Sequence, residues 1–209
     1  MSVAVKICGL RDELALETAI EAGADFVGFV FAPSKRRIAP EEAAMLVRRL
    51  GVAGPKAVGV FVDEDPAIVR VIADVAGLDL VQLCGSERPE EEWGRPVIRV
   101  IRPVRRAQWA AWAPWIARGA RLHIDTPGSA GGTGVVGDWT VASRVARRVP
   151  ILLAGGLNPE NVARAIAAVQ PWGVDVSGGV ERDGQKDPAA IRSFIQAARA
   201  ARRPEGHQR

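Results

Sequence analysis

Short apolar stretches with the two-residue periodicity of β-strands alternate along this chain with longer, amphipathic stretches typical of helices. The predicted strands cover residues 3–8, 25–31, 56–62, 80–84, 96–101, 121–125, 151–154 and 174–177. The predicted helices cover residues 12–22, 40–50, 66–76, 87–93, 104–113, 138–148, 159–169 and 188–201. Strands that alternate with helices form parallel sheets. Eight such units in 209 residues predict an α/β fold, a single closed (β/α)8 barrel of the TIM-barrel type.

The pattern predicts one barrel domain over residues 1–201, followed by a polar and flexible tail over residues 202–209. Trp109, Trp112 and Trp115 recur every three residues around the predicted fifth helix. We expect these rings to pack that helix onto the barrel, and a subunit interface is the alternative. The sequence does not fix the oligomeric state, which we expect to be a monomer or a homodimer.

Composition excludes several classes of protein. No apolar run approaches the ~20 residues that cross a bilayer, and the first strand begins at once, which leaves no room for a signal peptide. Two cysteines make no disulfide framework, so we expect a cytoplasmic protein without a membrane partner. The net charge of +4 comes from scattered arginines, and the chain has no tyrosine and no nucleic-acid-binding motif. This positive field favours an anionic small molecule as substrate rather than a nucleic acid.

In barrels of this type, the chemistry belongs to the carboxyl ends of the strands and to the loops that follow them. The last two strands both end in glycine pairs, whose backbone N–H groups can approach an anion closely. The loops after strands seven and eight are the usual phosphate site of these barrels. They predict a phosphorylated small-molecule substrate bound by Gly155, Gly156, Asn158, Ser177 and Gly178. The long sixth loop is also rich in glycine, and we interpret it as a lid that includes Gly131 and Gly132.

Two candidate acid–base groups lie at other strand ends. Cys8 ends the first strand, and Asp125 ends the sixth, where His123 and Asp125 share the inward face. Lys6 lies on the same face as Cys8 and would favour its thiolate. Because strands one and eight are neighbours in a closed barrel, we expect Lys6 to form an interior ion pair with Asp175 and to act on Cys8 indirectly.

Several strings of residues, taken in order, resemble the phosphoribosylanthranilate isomerase family, barrel enzymes of tryptophan biosynthesis. The opening string is Val5-Lys6-Ile7-Cys8-Gly9-Leu10, and the second loop reads Pro33-Ser34-Lys35-Arg36. The phosphate loops read Gly155-Gly156-Leu157-Asn158-Pro159 and Val174-Asp175-Val176-Ser177. The strings Val58-Gly59-Val60-Phe61-Val62, Asp125-Thr126, Gly131-Gly132-Thr133-Gly134 and Asp138-Trp139 also match, so the resemblance spans nearly the whole chain.

The resemblance implies an Amadori rearrangement of N-(5-phosphoribosyl)anthranilate to 1-(2-carboxyphenylamino)-1-deoxyribulose 5-phosphate. By family position, Asp125 is the general acid that opens the ribose ring, and Cys8 is the general base that takes the proton from sugar C2. Arg36 stands where the family binds the anthranilate carboxylate. The Schiff-base nitrogen belongs to the substrate, so no metal and no cofactor are expected.

The chain departs from the family at the end of strand four. Cys84 stands where the family often has histidine, a change that we expect the site to tolerate, and Ala154 and Gly178 stand where serine is common. Two other functions remain alternatives. One is a phosphosugar isomerase or epimerase of another specificity, for which His123 and His207 are the only histidines available as metal ligands. The other is a phosphometabolite sensor without turnover.

Overall fold

The computed structural model describes residues 2–102, 108–126 and 139–201. Eight parallel strands close into a barrel in chain order, and β1 pairs with β8. The strands are β1 (Ala4–Cys8), β2 (Phe26–Val30), β3 (Lys56–Phe61), β4 (Leu80–Leu83), β5 (Val97–Ile101), β6 (Arg121–Asp125), β7 (Ile151–Ala154) and β8 (Gly173–Val176). The predicted (β/α)8 fold is confirmed, and every predicted strand boundary lies within one residue of the observed one.

The described residues form seven α-helices around the barrel. They are α1 (Glu13–Glu21), α2 (Pro40–Val47), α3 (Pro66–Ala76), α4 (Trp109–Ala117), α5 (Thr140–Ala146), α6 (Val162–Val169) and α7 (Pro188–Ala200). Local chemistry sets several of these ends. The side chain of Asp65 caps α3, Pro66 occupies its first turn, and Gly77 ends it in the left-handed conformation.

The predicted helix over residues 87–93 is wrong. The Glu87 carboxylate instead accepts hydrogen bonds from the backbone N–H groups of Asp63 and Gly85, at 3.0 Å and 2.9 Å, and pairs with Arg99. These tertiary bonds use the residue that the sequence pattern placed in the first turn of a helix. The segment between β4 and β5 is therefore an irregular connection.

Helix α4 extends beyond its predicted end at residue 113, even though Pro114 lies inside it. The predicted start at residue 104 lies outside the described residues. Burial explains the extension, because Trp112 and Trp115 are both buried in the core between helices and barrel. Trp109 is partly buried and packs edge-on against Trp112, with ring centroids 5.6 Å apart. The tryptophans thus pack the helix onto the barrel as predicted.

A short antiparallel hairpin follows β8 and was not predicted. A single 3-10 turn over Gly178–Val180 leads into β9 (Glu181–Arg182), which pairs with β10 (Gln185–Lys186). Asp183 and Gly184 connect the two strands with positive φ angles of 52° and 78°. An Asp-Gly pair of this kind is the sequence signature of a tight hairpin.

No helix in the described ranges is both long enough and apolar enough to cross a bilayer.

Candidate active site

Three side chains from three strands meet inside the barrel. Lys6 of β1 donates to both carboxylate oxygens of Asp175 of β8, at 3.1 Å and 3.2 Å, and Nε2 of His123 of β6 lies 2.8 Å from Oδ2 of the same carboxylate. Burial disfavours both charges, but their mutual attraction outweighs it, so the pKa of Asp175 is lowered to about 2 and the pKa of Lys6 is raised. The predicted ion pair between Lys6 and Asp175 is confirmed. It shows that both side chains point into the barrel.

The candidate site residues lie two positions further along the same three strands, toward their carboxyl ends. Because side chains two positions apart on a strand point to the same side, Cys8, Asp125 and Ser177 follow Lys6, His123 and Asp175 toward the mouth of the barrel.

Cys8 lies directly against Lys6. Cys8 is buried; burial lowers the pKa of Lys6, but the negative charge of Asp175 and, to a smaller extent, Cys8 raise it. Glycine on the neighbouring strand leaves the space for this contact. A Cβ atom at Gly28 would lie 2.8 Å from Cys8 Sγ and 3.2 Å from Lys6 Nζ. The site thus places a permanent cation beside the candidate base.

Asp125 is half-exposed at the end of β6 and has a partner that the sequence analysis missed. Nε of Arg102 lies 3.1 Å from Asp125 Oδ2, and Nη1 of the same guanidinium donates to the backbone oxygen of Cys84, also at 3.1 Å. Arg102 follows the last residue of β5, and the rule that chemistry lies at strand ends, applied to this strand, was the signal that could have found it.

Cys84 lies just past the end of β4, where the family often has histidine. Burial raises the pKa of its thiol to about 11, although Gln82, whose Nε2 lies 3.6 Å from Sγ, acts in the opposite direction. The Cys84 thiol is therefore neutral at physiological pH, and it is a weaker hydrogen-bonding group than an imidazole.

The two predicted phosphate loops pack against each other through their backbones. Gly155 and Gly156 have φ angles of 98° and 62°, a conformation that favours glycine. A Cβ atom at Gly179 would lie 1.9 Å from the backbone oxygen of Leu157, so only glycine fits there. Gly178 begins the 3-10 turn of the eighth loop.

Asn158 holds the seventh loop together through hydrogen bonds within it. Its Oδ1 accepts from the backbone N–H of Glu160 at 3.1 Å and of Asn161 at 2.9 Å. The backbone N–H of Asn158 donates to Asn161 Oδ1 at 2.9 Å. The predicted lid residues Gly131 and Gly132 lie outside the described residues.

Arg36 binds Glu181 through a two-pronged ion pair, with Nε 2.5 Å from Oε1 and Nη2 2.9 Å from Oε2. Lys186 Nζ also lies 2.9 Å from Oε1, and Lys35 Nζ lies 3.2 Å from Oε2. Although burial opposes it, Arg36 and Lys186 lower the pKa of Glu181 to about 2. Sequence reasoning missed Glu181 and Lys186, yet the Asp-Gly turn between them was a signal that could have revealed their hairpin.

Within the described ranges, no cluster of three or more histidine, cysteine, aspartate or glutamate side chains could hold a metal ion.

Comparison with known proteins gives one consistent result. A family model described as N-(5'phosphoribosyl)anthranilate (PRA) isomerase matches residues 5–197. An N-(5'-phosphoribosyl)anthranilate isomerase from Desulforudis audaxviator is 49% identical over 203 residues, which covers 94% of this chain and 98% of the relative.

Solved structures agree with the sequence comparison. The crystal structure of phosphoribosyl anthranilate isomerase from Thermotoga maritima superposes with a TM-score of 0.84 at 38% identity, covering 94% of this chain and 98% of that one. A second structure holds reduced 1-(o-carboxyphenylamino)-1-deoxyribulose 5-phosphate. It superposes with a TM-score of 0.81 at 37% identity, over 94% of this chain and 98% of that one.

Proposed function

Because this chain belongs to the N-(5'-phosphoribosyl)anthranilate isomerase family, we propose that Cys8 and Asp125 are the base and the acid of its reaction. The enzyme converts N-(5-phosphoribosyl)anthranilate to 1-(2-carboxyphenylamino)-1-deoxyribulose 5-phosphate in the biosynthesis of tryptophan. The observation that carries the proposal is the placement of Cys8 beside the Lys6 ammonium, at the mouth that Asp125 also faces.

The first step opens the ribose ring. The Asp125 carboxyl gives its proton to the ring oxygen while the bond from that oxygen to C1 breaks. The lone pair of the substrate nitrogen forms the C1–N double bond of a protonated Schiff base. Arg102 stabilises the carboxylate that remains, because its guanidinium already contacts Oδ2.

The second step removes the proton from sugar C2. The Cys8 thiolate takes this proton, and the C–H electron pair forms a C1–C2 double bond while the iminium nitrogen becomes neutral. The resulting enolamine tautomerises to the ketone, and proton exchange with water resets both groups. Lys6 supports this step by stabilising the negative thiolate.

Two anion sites hold the substrate at its ends. Arg36 binds the anthranilate carboxylate with a guanidinium fork. The backbone of Gly155, Gly156 and Gly178, together with Ser177, binds the phosphate, and Asn158 maintains the loop that carries two of these glycines. Gly131 and Gly132 remain predicted parts of a lid.

Steady-state conversion of freshly prepared phosphoribosylanthranilate, followed by loss of its fluorescence, tests the assignment. We expect Cys8→Ala and Asp125→Asn each to lower kcat at least ~100-fold, because positioned acid–base groups contribute that much or more. Binding of the reduced product analogue is expected to persist in both variants. Near-normal turnover in either purified variant would refute the role of that residue.

The same assay with a chelator tests independence from metal ions. The substrate supplies its own Schiff-base nitrogen, so we expect wild-type turnover to be unchanged after chelation. Loss of activity that returns with a divalent cation would favour a metal-dependent barrel enzyme instead. Tight binding of the phosphate ligand by folded wild-type protein without turnover would indicate a sensor.

A further inference from the structure

We propose that Glu181 is a positioning residue that orients Arg36 for the substrate carboxylate. The inference rests on the proposed role of Arg36 as the carboxylate-binding residue. Glu181 is acidic and would not bind the substrate carboxylate itself. We infer instead that Glu181, and the hairpin that carries it, hold Arg36 in the orientation that binding requires.

The bidentate ion pair between Arg36 and Glu181 uses only one edge of the guanidinium. Arginine has five N–H donors in a rigid plane, and Glu181 engages Nε and Nη2. Nη1 and the second N–H of Nη2 are not used by this pair, and together they can form a second bidentate contact with another carboxylate. Glu181 therefore fixes the plane of Arg36 and leaves a complete carboxylate-binding edge.

Glu181 is itself held rigidly. Its side chain is only 7% exposed, and Lys186, which faces it across the hairpin, donates to its Oε1 at 2.9 Å. Lys186 also donates to the backbone oxygen of Ser177 at 2.9 Å. Ser177 in turn donates from Oγ to the backbone oxygen of Cys8 at 3.1 Å. The hairpin thus connects the arginine of one anion site to the loop of the other.

Electrostatics explains why the arginine needs a carboxylate partner. Burial lowers the pKa of Lys186, the carboxylate of Glu181 opposes that effect, and the charge of Arg36 adds to it. Without Glu181, Arg36 and Lys186 would repel each other at close range. With it, three cations from Lys35, Arg36 and Lys186 surround one carboxylate, and the excess positive charge remains for the substrate.

Packing also holds the aliphatic stem of Arg36. A Cβ atom at Gly9 would lie 2.6 Å from Arg36 Cδ and 3.3 Å from Ser177 Oγ, so the arginine stem lies directly on the backbone after β1. The stem is thereby fixed from below by Gly9, and the guanidinium is fixed from the side by Glu181.

The test compares two substrates in wild type, Glu181→Gln and Arg36→Met. One is phosphoribosylanthranilate, and the other is N-(5-phosphoribosyl)aniline, which has the same sugar phosphate but no carboxylate. Where the aniline compound reacts too slowly, its inhibition constant replaces kcat/KM. We expect Glu181→Gln to lower kcat/KM for the anthranilate compound about 10-fold or more, chiefly through KM, because a charged fork is lost. The aniline compound is expected to change less than ~2-fold.

Glu42→Gln is the matched control. Glu42 lines the same cavity of about 370 Å³ as Arg36 and Glu181, and it accepts a hydrogen bond from the backbone N–H of Ala39 at 3.0 Å. Glutamine preserves such a capping bond while it removes one negative charge from the cavity. We expect this variant to treat both substrates as wild type does.

The outcomes separate the inference from its premise. If Glu181→Gln lowers kcat/KM equally for both substrates, or for neither, the positioning role is overturned. This holds even if Arg36→Met loses its preference for the substrate with the carboxylate. If wild type and Arg36→Met show the same preference for the anthranilate compound over the aniline compound, the proposed role of Arg36 in binding the carboxylate is refuted, and with it the premise of this inference. Should Glu181→Gln not fold, Glu181→Asp is measured instead, because its shorter side chain keeps the charge but cannot maintain the fork.

Discussion

At the scale of single residues, the site depends on a lysine that the barrel keeps charged in its interior. Lys6 is fully buried, and only a close ion pair makes such burial tolerable. Asp175 supplies that pair, and His123 of β6, two strands from β8 in the barrel, binds the same carboxylate. The positive charge that Lys6 presents to the proposed base Cys8 therefore depends on the negative charge of Asp175.

This dependence predicts how stability varies with pH. The pKa of Asp175 in the folded protein is about 2, below its ordinary value, so its contribution to stability is complete above about pH 4 and is lost as pH falls toward 2. Asp175→Asn leaves Lys6 without a counter-charge, and we expect it to cost ~3–5 kcal/mol in the free energy of unfolding at pH 7.

Urea unfolding between pH 2 and pH 7 provides the measurement. The difference between wild type and Asp175→Asn is expected to shrink as the wild-type carboxylate becomes protonated. Asp74→Asn, which removes a 69% exposed partner of Arg95, is the control, and we expect a cost below ~1 kcal/mol. A gap between wild type and Asp175→Asn that stays constant down to pH 2 would contradict the role of the ion pair.

Sequence analysis could find the residues of this interior layer because strand alternation determines them. Lys6 and Asp175 are direct neighbours in the register of β1 and β8, and closure of the barrel predicted that neighbourhood. Arg102 and Glu181 escaped prediction for a different reason. Each acts through a long side chain that reaches across a loop, and neither periodicity nor spacing encodes that reach.

At the scale of elements, the regular strands and helices were predictable and the connections were not. The strands follow two-residue periodicity. The segment over residues 87–93 has helix-forming residues, but the carboxylate of Glu87 binds backbone N–H groups of Asp63 and Gly85 instead of supporting a helix. The β9–β10 hairpin has only two residues per strand, too few for a periodic signal. The candidate residues that lie on strands were therefore named in advance, whereas Glu181 and Lys186 on the hairpin were not.

The contact between the phosphate loops gives a prediction at this scale. Gly179→Ala would place a methyl group against the backbone of Leu157, and the two loops would have to separate. We expect KM for phosphoribosylanthranilate and the inhibition constant of inorganic phosphate both to rise about 10-fold, since hydrogen bonds to the charged phosphate are weakened. A rise in KM without any change in phosphate inhibition would show that these loops do not bind the phosphate.

At the scale of the whole molecule, the first and last parts of the chain close the barrel together. Helix α7 packs against α1 and β1, and Arg199 near its end donates to the backbone oxygens of Val3 and Gly23 and to Asp25. One side chain thus joins the last helix to the segments before β1 and β2.

We expect Arg199→Met to lower the free energy of unfolding by ~1–3 kcal/mol, because the partly buried oxygens of Val3 and Asp25 lose a charged donor. Arg192→Met on the same helix removes only an exposed pair with Glu21 and is expected to cost below ~1 kcal/mol. Thermal and urea unfolding of both variants provide the comparison. Equal stability of the two variants would indicate that Arg199 has no special role in closure.

The hydrogen bond from Ser177 to Cys8 joins positions 169 residues apart, so the site exists only after the ring of strands has closed. Contacts of such high sequence separation form late and slowly, because the loop between them must first be ordered. An intermediate with most strands in place would already contain Asp125, yet it would lack the junction that unites the proposed base Cys8, Lys6 and the proposed phosphate loop after β8. We therefore expect turnover to report complete folding, and we expect a barrel that opens at the β1–β8 seam to lose activity before the rest of its structure is lost.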